Sequence, residues 1–333
     1  MSCPFPKRNM KLLKTCTWLT ATVLVTASLS GCVMRDREAS SLDRKFAVDG
    51  PVHLELTNGN GDSKVVAGAP GEVRVHADFR VKSWSAASAR RRIAELRANP
   101  PISQEGNLIR IGSSTSMSSV KIDYTIIVPA DTQIHGTTGS GEIEVTGIRG
   151  PANFSAASGT ITAAAVTGDI QAHSSSGTVQ LASIQGQVEV SSASGDVNLA
   201  DIHGDIRVRT GSGTIRISQP AGAVEATAGS GNVNAAGVQG DVRVRTGSGS
   251  IVLVGDPRAT TYWDLRASSG NVAVQVPTSA SFRFYAKANS GDINAAIPIV
   301  MEGTAGKHEL RARIGDGKAR VEVETSSGNI ALH

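Results

Sequence analysis

The chain of 333 residues carries 33 Lys plus Arg against 29 Asp plus Glu, a formal charge of +4, with 36 glycines and only 4% aromatic residues. Few large side chains exclude a wide core and leave a thin one built from Val, Ile, Leu and Ala. The charge excess is local: Lys7, Arg8, Lys11 and Lys14 lie within residues 1–31, which hold no acid, and without those four the balance is 29 to 29. That removes any net-charge argument for nucleic acid as a partner.

In chain order, the basic start is followed by "TCTWLTATVLVTASLSG", an apolar run ending at Gly31 that is too short and too small-residued for a comfortable membrane span. It reads as a secretory signal over 1–31. The four residues "LSGC" at Leu29–Cys32 resemble the bacterial lipobox, which implies cleavage between Gly31 and Cys32 and a palmitate-type acyl chain on Cys32 as the membrane anchor. Val33 follows where an aspartate would favour inner-membrane retention, so a Gram-negative cell would sort the chain to its outer membrane. Cys3 and Cys16 leave with the signal and Cys32 is acylated, so neither a disulfide nor a cysteine metal site is expected. Residues 32–45 read as the acylated cysteine and a tether.

Residues 46–135 alternate in short strands around one helix, placed at 85–98 and stopped by Pro100 and Pro101. Arg90, Arg91, Arg92 and Arg97 would suit a membrane-surface helix, but the apolar stripe, chiefly Ile93 and Leu96, is narrow. A cap for the repeats beyond residue 135 is the preferred reading, because a stack of strands needs its open end covered.

From 136 to 333 the sequence repeats. Ser-Gly pairs end at Gly141, Gly159, Gly177, Gly195, Gly213, Gly231 and Gly249, 18 residues apart, and Gly150, Gly168, Gly186, Gly204, Gly222 and Gly240 fall halfway. Two and four residues after each glycine the side chain is apolar, and the positions between are mostly polar, the period-two pattern of strands with one buried face. This pattern predicts an 18-residue coil with two short strands and two glycine corners. Such coils stack into an all-β parallel β-solenoid of about ten coils, right-handed as parallel crossovers are. The spacing loosens at Gly270, Gly291 and Gly328, with intervals of 21, 21 and 37.

No catalytic residue emerges. The serine column Ser140, Ser158, Ser176, Ser194, Ser212, Ser230 and Ser248 is better suited to coil-to-coil hydrogen bonds than to a nucleophile, which needs one serine beside one base. Neither "GSGT" at Gly211 nor "GDGKA" at Gly315 meets the requirements of a phosphate loop. Asp169, Asp205 and Asp241 alternate with Gln187 and Ala223 instead of lining every coil as a calcium nonapeptide would, and His53, His76, His135, His173, His203 and His308 share no column, so no metal or other cofactor is expected. Tyr262, Trp263 and Tyr285 form the best candidate ligand patch, although a hydrophobic lid on the last coils is the preferred reading. One outward column runs Asn153, Gln171, Glu189, Arg207, Glu225, Arg243, an ion-pair ladder. In the next, Ser155, His173, Ser191, Arg209, Thr227, Arg245, the two arginines have no acidic neighbour within the column; a solvated face is the preferred reading, and they are the candidate contacts for an anionic partner.

The segments "NGNGD" at Asn58, "YTIIVPADT" at Tyr124, "TTGSGEIEV" at Thr137 and "VETSSGNIAL" at Val323 resemble a bacterial candidate-adhesin domain family of unknown function with SGDI and GDV repeats. The resemblance covers 46–333; it implies a parallel β-solenoid and carries over no catalytic residue. The expectation is a non-enzymatic envelope lipoprotein presenting a rigid surface for adhesion or scaffolding to an envelope protein or glycan. The alternative is a carbohydrate-active β-helix enzyme, which would need a carboxylate cluster that the repeat does not display.

Overall fold

The computed structural model describes residues 36–112, 119–302 and 306–333. Gly31 and Cys32 lie outside them. Strands dominate: β1 (Asp36–Ala47), β2 (Val52–Asn58), β3 (Ser63–Gly68) and β4 (Glu72–Ser83) precede α1 (Ala86–Ala98), and β5 (Ile102–Glu105), β6 (Leu108–Gly112) and β7 (Val120–Pro129) lead into the repeats. Among the described residues the strands form two sheets, of 14 and 15 members, that face each other across a core of Val, Ile, Leu and Ala. The all-β parallel solenoid read from the periodicity is the fold.

One coil shows how the sequence builds it. Ile206–Thr210 lies in the second sheet and Ile215–Pro220 in the first, each paired in parallel with the strands 18 residues before and after. Ile206, Val208, Ile215 and Ile217 point inward and are buried. At Gly213 the requirement for glycine is close approach, not a special dihedral: a Cβ there would sit 2.0 Å from the carbonyl oxygen of Gly195 in the preceding coil. The corner backbones touch, so no side chain fits.

The coil has one bend more than the two glycine corners. Ala165, Ser183, Asp201 and Gln219 hold φ near +54°, at 53, 54, 55 and 53 degrees, in line with Gly147 and Gly237 at 78 and 75 degrees. Left-handed backbone at a non-glycine residue costs about 1–2 kcal/mol, and here it turns the strand so that the next residue also faces inward. Ile148, Val166, Ile184, Ile202 and Val238 are fully buried in that position, an apolar column the two-corner reading overlooks.

Polar groups seal the corners. The seven serines of the Ser-Gly column are exposed, and their hydroxyls make no coil-to-coil bonds among the described residues. The buried hydroxyls stand two residues earlier: Thr246 accepts from the Gly249 amide at 3.1 Å and donates to the Gly231 carbonyl, one coil back, at 3.0 Å. The aspartates that alternate along the repeat cap the next coil, with Oδ1 of Asp169, Asp205 and Asp241 accepting from the amides of Gln187, Ala223 and Tyr262 at 2.8, 3.0 and 2.8 Å. An acid on every second coil suffices for that task.

Both ends depart from sequential stacking. At the start, β2 and β3 pair with the first regular coil on one side and with β6 and β7 on the other, although β6 and β7 come later in the chain. At the finish, Ala319–Ser327 lies between Tyr262–Ser269 and Phe282–Ser290, and Ile330–Leu332 between Val272–Gln275 and Ile293–Ala295. The spatial order of the loosened glycines is therefore Gly270, Gly328, Gly291, which the intervals 21, 21 and 37 conceal. Ten coils stack from residue 132 onward, in line with the about ten expected over 136–333, and β2 with β3 and β6 with β7 add two more among the described residues, so the solenoid extends into the region read as its cap.

Residues 36–45, expected as tether, are strand instead. β1 runs antiparallel to β4, from Asp36 opposite Ser83 to Ala47 opposite Glu72. On β4 the alternate residues Val73, Val75, Ala77, Phe79 and Val81 are buried, and β1 extends the first sheet past the point where the second ends at β5. There α1 takes over: Ser85 caps it by accepting from the Ser88 amide, and Ala89, Ile93 and Leu96 are buried against β1 and β4. The narrow stripe is filled by the cap.

His76 on β4 fastens β1, with Nδ1 2.7 Å from Asp43 Oδ1 and Nε2 3.3 Å from Asp78 Oδ1. The Asp43 hydrogen bond, with help from the Asp78 charge, raises the imidazole above its ordinary value of about 6.5. The raised group stabilises the fold fully below that unfolded value, and the contribution fades as pH rises through the folded one. Hydrogen exchange at β1, corrected for intrinsic rate, is thus expected to quicken as pH rises above the ordinary imidazole value of about 6.5 and to lose that dependence in His76→Gln. Gly213→Ala is expected to lower stability by about 1–3 kcal/mol in thermal unfolding, from overpacking. Gly59→Ala, whose Cβ would meet nothing within 4 Å, is expected to stay within about 0.5 kcal/mol.

Candidate functional site

The outward face of the second sheet carries the charged columns. Arg207 Nε donates to Glu225 Oε2 at 3.1 Å, and that hydrogen bond, reinforced by the Arg209 and Arg243 charges, holds Glu225 below the usual carboxylate range. The ladder continues past Arg243, whose register partner on the next coil is Asp264. Wrapping at 18 puts Thr261 there, but the loop preceding Tyr262 lengthens this step to 21.

Asp264 is the centre of the face. It is 4% exposed and faces three guanidiniums, Arg266 Nε at 2.7 Å, Arg245 Nη2 at 3.6 Å and Arg243 Nε at 3.9 Å. A carboxylate removed from water needs such partners. In its own column Arg245 has no acid beside it, its register neighbours being Thr227 and Arg266, but it faces Asp264 in the adjacent column, a counter-charge out of the 18-residue phase that the column pattern does not foresee. Arg209 has no ion pair among the described residues, and its register neighbours are Ser191 and Thr227.

The candidate aromatic patch divides. Trp263 is fully buried in register with Val242, its Nε1 donating to the Gly240 carbonyl at 2.9 Å, so it belongs to the core and leaves the ligand patch. Tyr262 and Tyr285 do face outward, brought together by the out-of-order strand Ala319–Ser327 that runs between theirs. The Tyr262 hydroxyl donates to Glu322 Oε2 at 2.5 Å, and this bond to a carboxylate pushes its pKa up to about 12. The Arg320 guanidinium lies 5.7 Å from the Tyr262 ring centroid, and Arg311 lies 5.3 Å from that of Tyr285, both within cation–π range.

Two recesses open on this face. One, of about 340 Å³, is bordered by Asp205, Arg207, Glu225, Asp241, Arg243 and Tyr262; the other, of about 300 Å³, by Arg245, Ser268, Arg266, Lys287, Asn289 and Glu324. The first sheet has a shallower hollow of about 600 Å³ floored by Ala164, Ala182, Ala200 and Ala236, with Arg216 at its margin.

The swapped strand also gathers acids the repeat does not display: Glu322 is in register with Asp264. Each is already engaged, Asp264 by its arginines and Glu322 by the Arg320 cation and the Tyr262 hydroxyl. A glycosidase pair needs one carboxyl free to donate a proton and another free to attack or activate water. Among the described residues no group of three His, Cys, Asp or Glu side chains could hold a metal ion. The chemistry on offer is recognition by Arg and Tyr, the residue types that dominate binding hot spots.

The profile of the Toastrack family, DUF4097, matches residues 103–253 and again 221–333. No curated protein matches the chain. Solved structures with a similar course include a candidate cell-adhesion protein of Clostridium sporogenes (13% identity, TM-score 0.18, covering 88% of this chain and 99% of that one). A candidate adhesin of Bacteroides fragilis aligns at 12% identity and TM-score 0.35, over 88% and 97% of the two chains. A candidate lipid-binding protein of Parabacteroides distasonis aligns at 11% and 0.32, over 88% and 96%.

Asp264→Asn is expected to lower stability by roughly 1–3 kcal/mol, because three guanidiniums lose their shared counter-charge. The deficit should shrink in high salt, which screens arginine from arginine; a thermal-unfolding series across salt concentrations measures both effects.

Proposed function

The chain belongs to the Toastrack family, and on that fold we propose a non-enzymatic envelope lipoprotein, held to the membrane by an acyl chain on Cys32, whose second sheet presents a rigid Arg–Tyr surface to an envelope protein or glycan. The observation that carries this reading is the Asp264 centre. A nearly buried acid fixes Arg243, Arg245 and Arg266 on adjacent coils, so the cations are ordered before any partner arrives. Preorganised groups bind with less loss of side-chain freedom. Arg209 extends the same columns and has no ion pair among the described residues, which leaves it available to an anionic group such as a carboxylate of a protein or an acidic sugar.

The anchor rests on the basic start, the apolar run and "LSGC" ending at Cys32. Val33 favours the outer membrane of a Gram-negative cell. An adhesive role at the surface and a scaffolding role at its inner face place the same demand on the molecule, a rigid display surface raised from a bilayer.

Arg209→Glu is expected to weaken capture of a cross-linked cell-envelope partner in a salt-dependent way, with only the small loss of thermal stability that follows from its attraction to Glu225; unchanged capture would remove Arg209 from the interface. Arg245→Glu should weaken capture and also lower stability, since it sets a second carboxylate against Asp264. Incorporation of a fatty-acid probe, lost in Cys32→Ala, checks the anchor separately.

A further inference from the structure

The end of the solenoid that carries α1 lies close in sequence to the acylated cysteine. β1 starts at Asp36, only four residues after Cys32, and four residues reach at most about 14 Å when fully extended. A strand that starts so soon leaves no long linker: whatever surrounds the start of β1 stays near the bilayer surface.

The antiparallel register identifies those surroundings. Asp36 is opposite Ser83, so the turn from β4 into α1 sits beside the start of β1. Trp84, in that turn, is 75% exposed, the most exposed of the large hydrophobic side chains among the described residues. Lys82 is exposed next to it. α1 packs on this part of β1, as the Arg90–Glu38 ion pair at 2.9 Å shows. Its first turn carries no acid, its apolar side is spent on the cap, and Arg91 and Arg97 are exposed and make no ion pair among the described residues.

We propose that this end of the molecule, with Trp84, Lys82, Arg91 and Arg97, is a membrane-docking surface that rests on the anionic headgroup layer of the bilayer holding the acyl chain. Tryptophan prefers the boundary between acyl chains and headgroups, where its ring is in apolar surroundings and its N–H is wet. Lysine and arginine beside it are drawn to the negative lipid surface. No amphipathic insertion of α1 is involved, since Ala89, Ile93 and Leu96 are already buried in the protein. Docking would stand the solenoid on its cap and hold the Arg–Tyr face, on later coils, away from the lipid. The proposal rests on the Cys32 anchor.

The test uses the acylated chain in vesicles of phosphatidylethanolamine and phosphatidylglycerol, with and without brominated acyl chains. Signal removal takes Trp18, which leaves Trp84 and the fully buried Trp263 as the remaining tryptophans, excited apart from the tyrosines. Bromine is expected to quench, and the membrane to blue-shift, the emission component that Trp84→Phe removes. The Trp263 component should not change. The double variant Arg91→Glu with Arg97→Glu is expected to float with the vesicles as before but to lose most of the bromine quenching. If the acylated chain floats while Trp84 remains as open to aqueous iodide as in the soluble Cys32→Ser chain, docking is overturned and the anchor stands. If it does not float at all, the anchor falls and docking with it. Undiminished quenching in the double variant would overturn the role of the arginines.

Discussion

The spacing between corner backbones governs this protein. At each Ser-Gly corner the glycine lies so close to the carbonyl of the preceding coil that a Cβ on Gly177 would come within 1.6 Å of the Gly159 oxygen. Strands about 4.8 Å apart are ordinary for a sheet, but continuing that spacing around a corner requires the turns themselves to nest. Once they nest, each coil inherits the register of the last. Apolar columns then fall inward, hydroxyls meet corner amides, and aspartates reach the next coil's N–H.

Strict inheritance of register has an electrostatic effect. Side chains 18 residues apart become neighbours, so a charge pattern along the sequence becomes a ladder across the surface. A single loop that lengthens one step shifts the phase, and this one brings Asp264 beneath Arg243, Arg245 and Arg266 while sending Trp263 into the core. The face available for recognition thus has two sources, the regular repeat that supplies Arg207 and Arg209 and the irregular end that supplies the acid and the tyrosines.

The ends solve the problem of exposed strand edges by the same means. At each, a later segment of chain is stacked on an earlier coil out of order, and antiparallel strands come next: β1 and β4 at one end, Glu309–Ile314 and Val300–Met301 at the other. Antiparallel pairing breaks the progression, so the stack stops. At the start, α1 covers the core where the second sheet has run out. Edge strands that are short or charged discourage further addition; β1 carries Asp43, Arg44 and Lys45 in its second half.

The coil is legible in the residues alone: its 18-residue length, its two glycine corners, four inward positions, the Arg207–Glu225 contact and the helical cap. These come from columns, and columns are visible because every coil meets the same environment. The basic start and "LSGC" are legible too, as local motifs. Tertiary packing settles the features that lie where environments differ. The third inward column, Ile148 to Val238, is hidden because it depends on left-handed backbone at Ala165, Ser183, Asp201 and Gln219, of which only aspartate adopts it at all readily. The order Gly270, Gly328, Gly291 is hidden because glycine marks a corner without saying which corner it touches. For the same reason Asp264 as partner of Arg245, and Glu322 as partner of Tyr262, could only come from the fold: those contacts are made across coils whose neighbours are set by packing at the closed end and not by distance along the chain.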